Sequence, residues 1–117
     1  MPRIYDKLVR DDIPAIVEAN GERPITHVAD DEEYDRRLLA KLEEECAEYR
    51  EDRSLDELAD VLEVVRACCV HEGWSVEELE ERRREKTAER GGFEAGIVLE
   101  AVVERQSQST PDESREL

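Results

Sequence analysis

Glu44-Glu45-Cys46-Ala47-Glu48 and Glu57-Leu58-Ala59-Asp60 are two acidic motifs, separated by a short connection, around which the rest of the chain is organised. In each motif the carboxylates include a pair spaced i, i+3, which lies on one face if the motif is helical. When two such helices pack antiparallel, the carboxylates of both motifs meet near one point of the hairpin. A cluster of this kind is unfavourable unless a cation sits in it.

The first motif lies on a long helix predicted from about residue 31 to residue 50. Its apolar side chains recur at helical spacing: Tyr34, Leu38, Leu39, Leu42, Cys46 and Tyr49. At about 100° per residue, Glu45 projects inside this apolar stripe and Glu48 falls just beyond its edge, whereas Glu44 points to the far side. Because an acidic side chain on a core stripe is costly without a partner, Glu45 is the strongest candidate ligand.

The second motif lies on a helix predicted from Ser54 to about His71. Its apolar stripe comprises Leu55, Leu58, Val61, Leu62, Val64, Val65, Cys68 and Cys69. Glu57 lies at one margin of this stripe, and Asp60 lies outside that margin on the same side. A short loop favours antiparallel packing, which lets the two acidic flanks face each other. Glu57 has a competing role, since Ser54-Leu55-Asp56-Glu57 is also a capping box.

Further helices are predicted on either side of this hairpin. One begins at Asp11 or Asp12 and ends at Asn20-Gly21, and another runs from a capping box at Ser75 to about Arg90. Residues 1–10 are predicted to be irregular or extended and anchored on the core by Ile4, Tyr5, Leu8 and Val9. The sequence thus predicts one all-α domain over residues 1–105, an antiparallel helical bundle.

Three segments are less regular. Residues 23–28 are predicted to be extended. Residues 96–103 are apolar and fit either a strand or a short helix. The acidic tail, residues 106–117, is rich in Ser, Gln, Pro and Glu and is predicted to be disordered.

The charge balance excludes one class of partner. The chain carries 33 acidic and 17 basic residues, a formal net charge of −16. Nucleic acids are bound through phosphates by basic surfaces, so a nucleic-acid polymer is not expected as a ligand. The same acidity, with few lysines, suggests a halophilic source.

No apolar run is long enough to cross a membrane and no signal peptide is recognisable, so a cytoplasmic location is expected. Cys46, Cys68 and Cys69 fit helical core positions better than a disulfide framework.

The composition of the acidic cluster indicates its chemistry. Carboxylates without His or Cys nearby favour a hard cation, Mg²⁺ with Mn²⁺ as an alternative. Such ions take further ligands from substrate phosphates, so hydrolysis of a phosphoanhydride is the natural reaction. The candidate phosphate-binding residues are Lys7, Arg10, Lys86 and Arg90. Two alternatives remain open. Glu45 and Glu48 could be a pair on a helix flank that an arginine of a neighbouring helix neutralises, and Lys86 and Arg90 could simply complement a helix C-terminus.

The two motifs together resemble the signature of the all-α nucleotide pyrophosphohydrolases, a group that includes MazG-like proteins, dimeric dUTPases and phosphoribosyl-ATP pyrophosphohydrolase. Segments on either side are similar to a small MazG-like, phosphoribosyl-ATP-pyrophosphohydrolase-like subgroup. These are Tyr5-Asp6-Lys7-Leu8-Val9-Arg10-Asp11 near the N-terminus and the stretch from Lys86 through Arg90-Gly91-Gly92-Phe93. The resemblance spans roughly residues 4–100.

The resemblance implies a fold like a four-helix bundle, assembled as a homodimer or homotetramer. It also implies Mg²⁺-dependent cleavage between the α- and β-phosphates of a nucleotide, giving a nucleoside monophosphate and pyrophosphate. By position, Glu45, Glu48, Glu57 and Asp60 match the metal ligands and catalytic carboxylates. Glu44 matches the first carboxylate of the motif, and its place on the helix puts it behind the ligands rather than among them.

Three functions follow as hypotheses. The leading one is a nucleoside triphosphate pyrophosphohydrolase, for which the removal of non-standard nucleotides would be a fitting role. The alternative within the same class is a phosphoribosyl-ATP pyrophosphohydrolase of histidine biosynthesis. The alternative of another class is a non-catalytic acidic helical module that binds a partner protein.

Overall fold

The computed structural model describes residues 1–105, which contain four helices and no strand. The helices are α1 (Ile13–Ala19), α2 (Asp31–Glu51), α3 (Leu55–His71) and α4 (Val76–Arg90). The chain divides into two compact units, Met1–Arg83 and Arg84–Leu117. The prediction of an all-α fold is confirmed, and each helix lies within a residue or two of its predicted bounds.

Side-chain caps define where three of the helices begin. The Asp30 carboxylate accepts a hydrogen bond from the Glu33 N–H at 2.8 Å at the start of α2. Ser54 Oγ accepts from the Glu57 N–H at 3.2 Å at the start of α3. At α4 the capping box is complete, because Ser75 Oγ accepts from the Glu78 N–H and the Glu78 carboxylate accepts from the Ser75 N–H. Pro14 lies in the first turn of α1, where its missing N–H is not needed.

Within the first unit, α2 and α3 are the helices that pack on one another, as an antiparallel hairpin. The buried apolar side chains of the described residues are Leu38 on α2 and Val64 and Cys69 on α3. In this unit of one chain, therefore, the structure provides a two-helix hairpin with a small core. The larger bundle implied by the resemblance needs further helices.

Several residues predicted for the core are instead exposed. On α2 these are Leu39 and Cys46, and on α3 they are Leu55, Leu58 and Leu62. On each helix these residues are displaced from the α2–α3 contact in the same rotational direction about the helix axis. Because the two helices are antiparallel and face each other, this direction leads to the same side of the hairpin for all five residues. The predicted apolar stripes were too wide, because the partner helix covers only one edge of each stripe. We call this exposed set, Leu39, Cys46, Leu55, Leu58 and Leu62, the leucine face.

The N-terminal residues 1–10 form no regular secondary structure, as predicted, and lie on the other side of the hairpin. Leu8 and Val9 are half-buried there, whereas Ile4 and Tyr5 are exposed. The prediction that all four anchor the segment was therefore half wrong. Polar contacts to α2 and α3 contribute the rest of the attachment.

The second unit holds the end of α4 and the residues that follow it. Residues 96–103, predicted as a strand or a short helix, are neither. Their apolar side chains are exposed, including Ile97, Leu99 and Val103. The tail predicted to be disordered, residues 106–117, lies outside the described residues. Among helices of residues 1–105, none has the length and apolarity needed to cross a membrane.

Candidate metal centre

Carboxylates of α2 and α3 converge close to the short loop of the hairpin. Oxygen atoms of Glu45, Glu57 and Asp60 all lie within 4.8 Å of one another, and all three residues are half-buried. Glu45 comes from the side of α2 that faces α3, and its side chain is 12% exposed. The residue predicted to project into the core stripe is thus among the more enclosed acidic groups. The structure brings together three of the four predicted ligands.

Glu48, the fourth predicted ligand, is exposed and is not part of that group of three. The negative charge of Glu48 nevertheless acts on the cluster, through the pKa of Glu57. Burial raises the pKa of Glu57, and the negative charges of Asp60, Glu48, Asp52 and Glu45 raise it further. A carboxylate surrounded in this way is an unfavourable anion, and a divalent cation would relieve the repulsion.

The capping role that competes for Glu57 is only half realised. The Glu57 N–H donates to Ser54 Oγ, but the Ser54 N–H donates to the carbonyl oxygen of Asp52 at 2.8 Å. In a complete capping box the Glu57 carboxylate would accept from that N–H. The backbone of the connection has taken over this role, so the Glu57 carboxylate is available to the cluster.

The donor set fits a hard divalent cation. All the donors are carboxylate oxygens, the ligands preferred by Mg²⁺ and Mn²⁺. One oxygen from each of the three carboxylates lies within 4.8 Å of the other two, so the three residues could serve as ligands of a single ion. Three carboxylates also leave positions for water and phosphate oxygens.

Basic side chains already contact these acidic groups. Lys41 Nζ lies 3.1 Å from Glu45 Oε1 and 3.0 Å from Glu44 Oε2. Arg10 Nη2 donates to Asp60 Oδ1 at 2.6 Å. Two of the three clustered carboxylates thus have an internal counterion, and Glu57 is the member whose pKa is raised. The alternative of an arginine partner was raised for Glu45 and Glu48, but Glu45 forms its ion pair with Lys41 of the same helix.

Glu44 lies on the side of α2 that the N-terminal segment covers. Its side chain is therefore only 28% exposed. Lys7 Nζ donates to Glu44 Oε1 at 2.6 Å and Lys41 Nζ to Glu44 Oε2 at 3.0 Å. Burial raises the pKa of Glu44, but these two ammonium groups outweigh it and the pKa is lowered. As predicted from the helical wheel, Glu44 is not among the three clustered carboxylates.

Lys7 and Arg10, predicted as phosphate contacts, lie at the edge of the carboxylate cluster through these ion pairs. Lys86 and Arg90 are exposed, one turn apart on the last part of α4, in the second unit. Their role toward phosphate remains a prediction.

The structure adds two basic residues that the sequence reasoning missed. Lys41 could have been found, since it precedes Glu44 and Glu45 by three and four residues, the spacing of helical ion pairs. The pairing of Arg37 with Glu33 has the same local spacing, but its contact with Asp6 could not have been found, because Asp6 lies 31 residues away in the chain.

Comparison with known proteins gives little to set beside this geometry. No family model and no solved structure matches the chain. An uncharacterized protein of Mycolicibacterium smegmatis (strain ATCC 700084 / mc(2)155) is 48% identical over 44 residues. That match covers 38% of this chain and 45% of the other protein, so it spans less than half of either. It is a local similarity to a protein that itself has no described activity.

Proposed function

We propose that the protein is a Mg²⁺-dependent nucleoside triphosphate pyrophosphohydrolase, with Mn²⁺ as an alternative metal. The observation that carries the proposal is the convergence of Glu45, Glu57 and Asp60 from two helices, with Lys7 and Arg10 beside them. Carboxylates supply an ion site and basic groups supply phosphate contacts. An acidic surface that only keeps the protein hydrated would not be expected to place an ion site and basic groups side by side.

Each group has a defined part in this reaction. Glu45, Glu57 and Asp60 would hold the ion, and Glu48, one turn beyond Glu45, would reach it through a water molecule or a rotated side chain. The bound metal supplies charge neutralisation at phosphate oxygens and a more acidic water. One carboxylate of the cluster would polarise the attacking water or take a proton from it. Lys7 and Arg10 would exchange their carboxylate partners for phosphate oxygens when a nucleotide binds.

We also propose that two chains pair through the leucine face. Only three apolar side chains of the described residues are buried, a small core for a chain of this length. Leu55, Leu58 and Leu62 recur on successive turns of α3, and a two-fold axis would set them against the same residues of a second copy. Two hairpins joined in this way form a four-helix bundle, the form expected from the resemblance.

The test of the enzymatic proposal is a nucleotide panel incubated with Mg²⁺, with pyrophosphate release measured against EDTA controls. Glu45→Gln is expected to abolish release. Glu43→Gln, an exposed carboxylate on the same helix, is the matched control and should retain it. If no nucleotide gives metal-dependent release, the non-catalytic interaction module becomes the better reading. Including phosphoribosyl-ATP in the panel separates the two hydrolase hypotheses.

A second readout does not depend on activity. Mg²⁺ should raise the melting temperature of the wild type, because it binds only the folded site. The Glu45→Gln/Glu57→Gln variant should lose that shift, whereas the charge-matched control Glu43→Gln/Glu51→Gln should keep it. An equal shift in all three proteins would show general screening of negative charge, with no specific site.

A further inference from the structure

Asp6 has an unusual backbone conformation. Its φ is +44°, and among residues 1–105 it is the only residue other than glycine with a positive φ. Aspartate tolerates this left-handed region better than most residues, but the conformation still has to be held by its surroundings. No helix or strand includes Asp6, so regular secondary structure does not hold it.

Arg37 on α2 holds this conformation from outside the segment. Its Nη1 donates to the Asp6 carbonyl oxygen at 2.7 Å and its Nη2 to Asp6 Oδ1 at 2.9 Å. The planar guanidinium therefore fixes the backbone and the side chain of one residue at the same time. Hydrogen bonding to Asp6 is also the main reason that the pKa of Arg37 is raised.

Arg37 is itself held in place on the helix. Its Nε donates to Glu33 Oε2 at 3.2 Å, one turn earlier, and the Glu33 N–H is held by the Asp30 cap. The Arg37 side chain is only 20% exposed, so little water competes for its donors. The contact is thus anchored in the first two turns of α2, the most regular part of its surroundings.

The direction taken by the chain after Asp6 determines where the next basic groups point. Lys7 follows immediately and reaches Glu44, which lies two turns beyond Arg37, about 10 Å along the axis of α2. Arg10 then reaches Asp60 on α3. Residues 6–10 therefore cross from the start of α2 to the metal centre, and a change of backbone conformation at Asp6 would redirect both basic side chains.

We propose that Arg37 is a positioning residue for the metal centre: it holds Asp6 in the left-handed conformation and so directs Lys7 and Arg10 to the site where phosphates would bind. The kinetic consequence rests on the proposed pyrophosphohydrolase activity, but the structural consequence does not. Arg37 itself lies two turns away from Glu44 and acts only through the segment that it holds.

The structural consequence is tested by chemical modification of lysine amines. The lysines of this chain are Lys7, Lys41 and Lys86, and the exposed Lys86 serves as an internal standard. In Arg37→Gln, acylation of Lys7 relative to Lys86, measured by mass spectrometry, should rise roughly fivefold, as expected for loss of a partly exposed ion pair. Arg36→Gln, the exposed neighbour on the same helix, should leave the ratio unchanged. No increase in Arg37→Gln would overturn the proposal, whatever the activity of the protein.

The kinetic consequence is tested by pyrophosphate release. Arg37→Gln should raise KM for the nucleotide roughly tenfold and change kcat less than about threefold, the pattern of lost substrate binding. A wild-type KM in a variant with a reactive Lys7 would overturn the positioning role. If the wild type hydrolyses no nucleotide while Lys7 becomes reactive in Arg37→Gln, the proposed function fails and the structural part of this proposal is supported.

Substitutions at Asp6 separate the backbone from the side chain. Asp6→Gly keeps the positive φ at no steric cost but lacks the carboxylate, whereas Asp6→Ala disfavours the conformation and also lacks the carboxylate. Lys7 reactivity should therefore stay closer to the wild type in Asp6→Gly than in Asp6→Ala. Equal reactivity in these two variants and the wild type would refute a role for the conformation of Asp6.

Discussion

Replacing Leu62 by alanine should weaken the association of two chains by about a hundredfold. The substitution removes three carbon groups, each contributing about 0.8 kcal/mol when fully buried. Leu62 is 60% exposed in the single chain, so about 1.4 kcal/mol of that contribution remains to be gained at an interface. A two-fold axis counts the change twice, giving about 3 kcal/mol, or two powers of ten in Kd.

The assay is sedimentation velocity over a wide range of protein concentration, with the dissociation constant fitted for each variant. Val70→Ala is the control, since Val70 lies on the same helix with a nearly equal exposure of 62% but outside the leucine face. It should dissociate like the wild type. A wild type that remains monomeric at high concentration would refute the reasoning. So would an unchanged Kd in Leu62→Ala, because the face would then not be the interface.

Three further predictions concern the metal centre and the cysteines. Glu45→Gln should abolish pyrophosphate release. Glu44→Gln should retain an appreciable part of it, because Glu44 is paired with lysines and lies outside the clustered carboxylates. Equal losses of activity in the two variants would contradict this distinction. The raised pKa of Glu57 means that its contribution to stability is present below the ordinary glutamate pKa near 4.5 and is lost as pH rises through the raised value. In EDTA at pH 7, Glu57→Gln should therefore melt no lower than the wild type, and its advantage should shrink as the pH falls through the raised pKa towards the ordinary value. A marked loss of stability would show that the carboxylate is not repelled. The exposed Cys46 should react with thiol reagents faster than Cys68, because burial raises the pKa of the Cys68 thiol. Cys46 should also become protected as the chains associate. If mass spectrometry shows equal rates at all protein concentrations, Cys46 does not lie in an interface.

Helix positions were predictable because their signals are local. Caps such as Ser54 and Ser75, and apolar residues at helical spacing, act within a few residues and do not depend on the rest of the chain. The enclosed position of Glu45 was predictable for the same reason. The periodicity of apolar residues predicted the side of α2 from which Glu45 projects. The short connection predicted that α2 and α3 pack against each other.

The errors arose where burial depends on distant parts of the chain or on other chains. Periodicity cannot tell whether Leu58 and Leu62 are covered by the same chain, and the structure leaves them exposed. A helical wheel places Glu44 away from the apolar stripe but cannot show that the N-terminal segment covers it. The conformation of Asp6 depends on Arg37, whose identity and spacing carry no local signal for such a contact.

The lysine and arginine contacts at the carboxylates bear on whether the hairpin needs the proposed metal in order to fold. A bare group of carboxylates would push the two helices apart until an ion arrived, and a newly made chain would depend on the metal supply to fold. Here Lys41 and Arg10 already offset the charges of Glu45 and Asp60, so the hairpin can close first. If the proposed ion binds here, its loading would replace one set of cations with another, and a cell depleted of that ion would keep a folded protein able to take it up again.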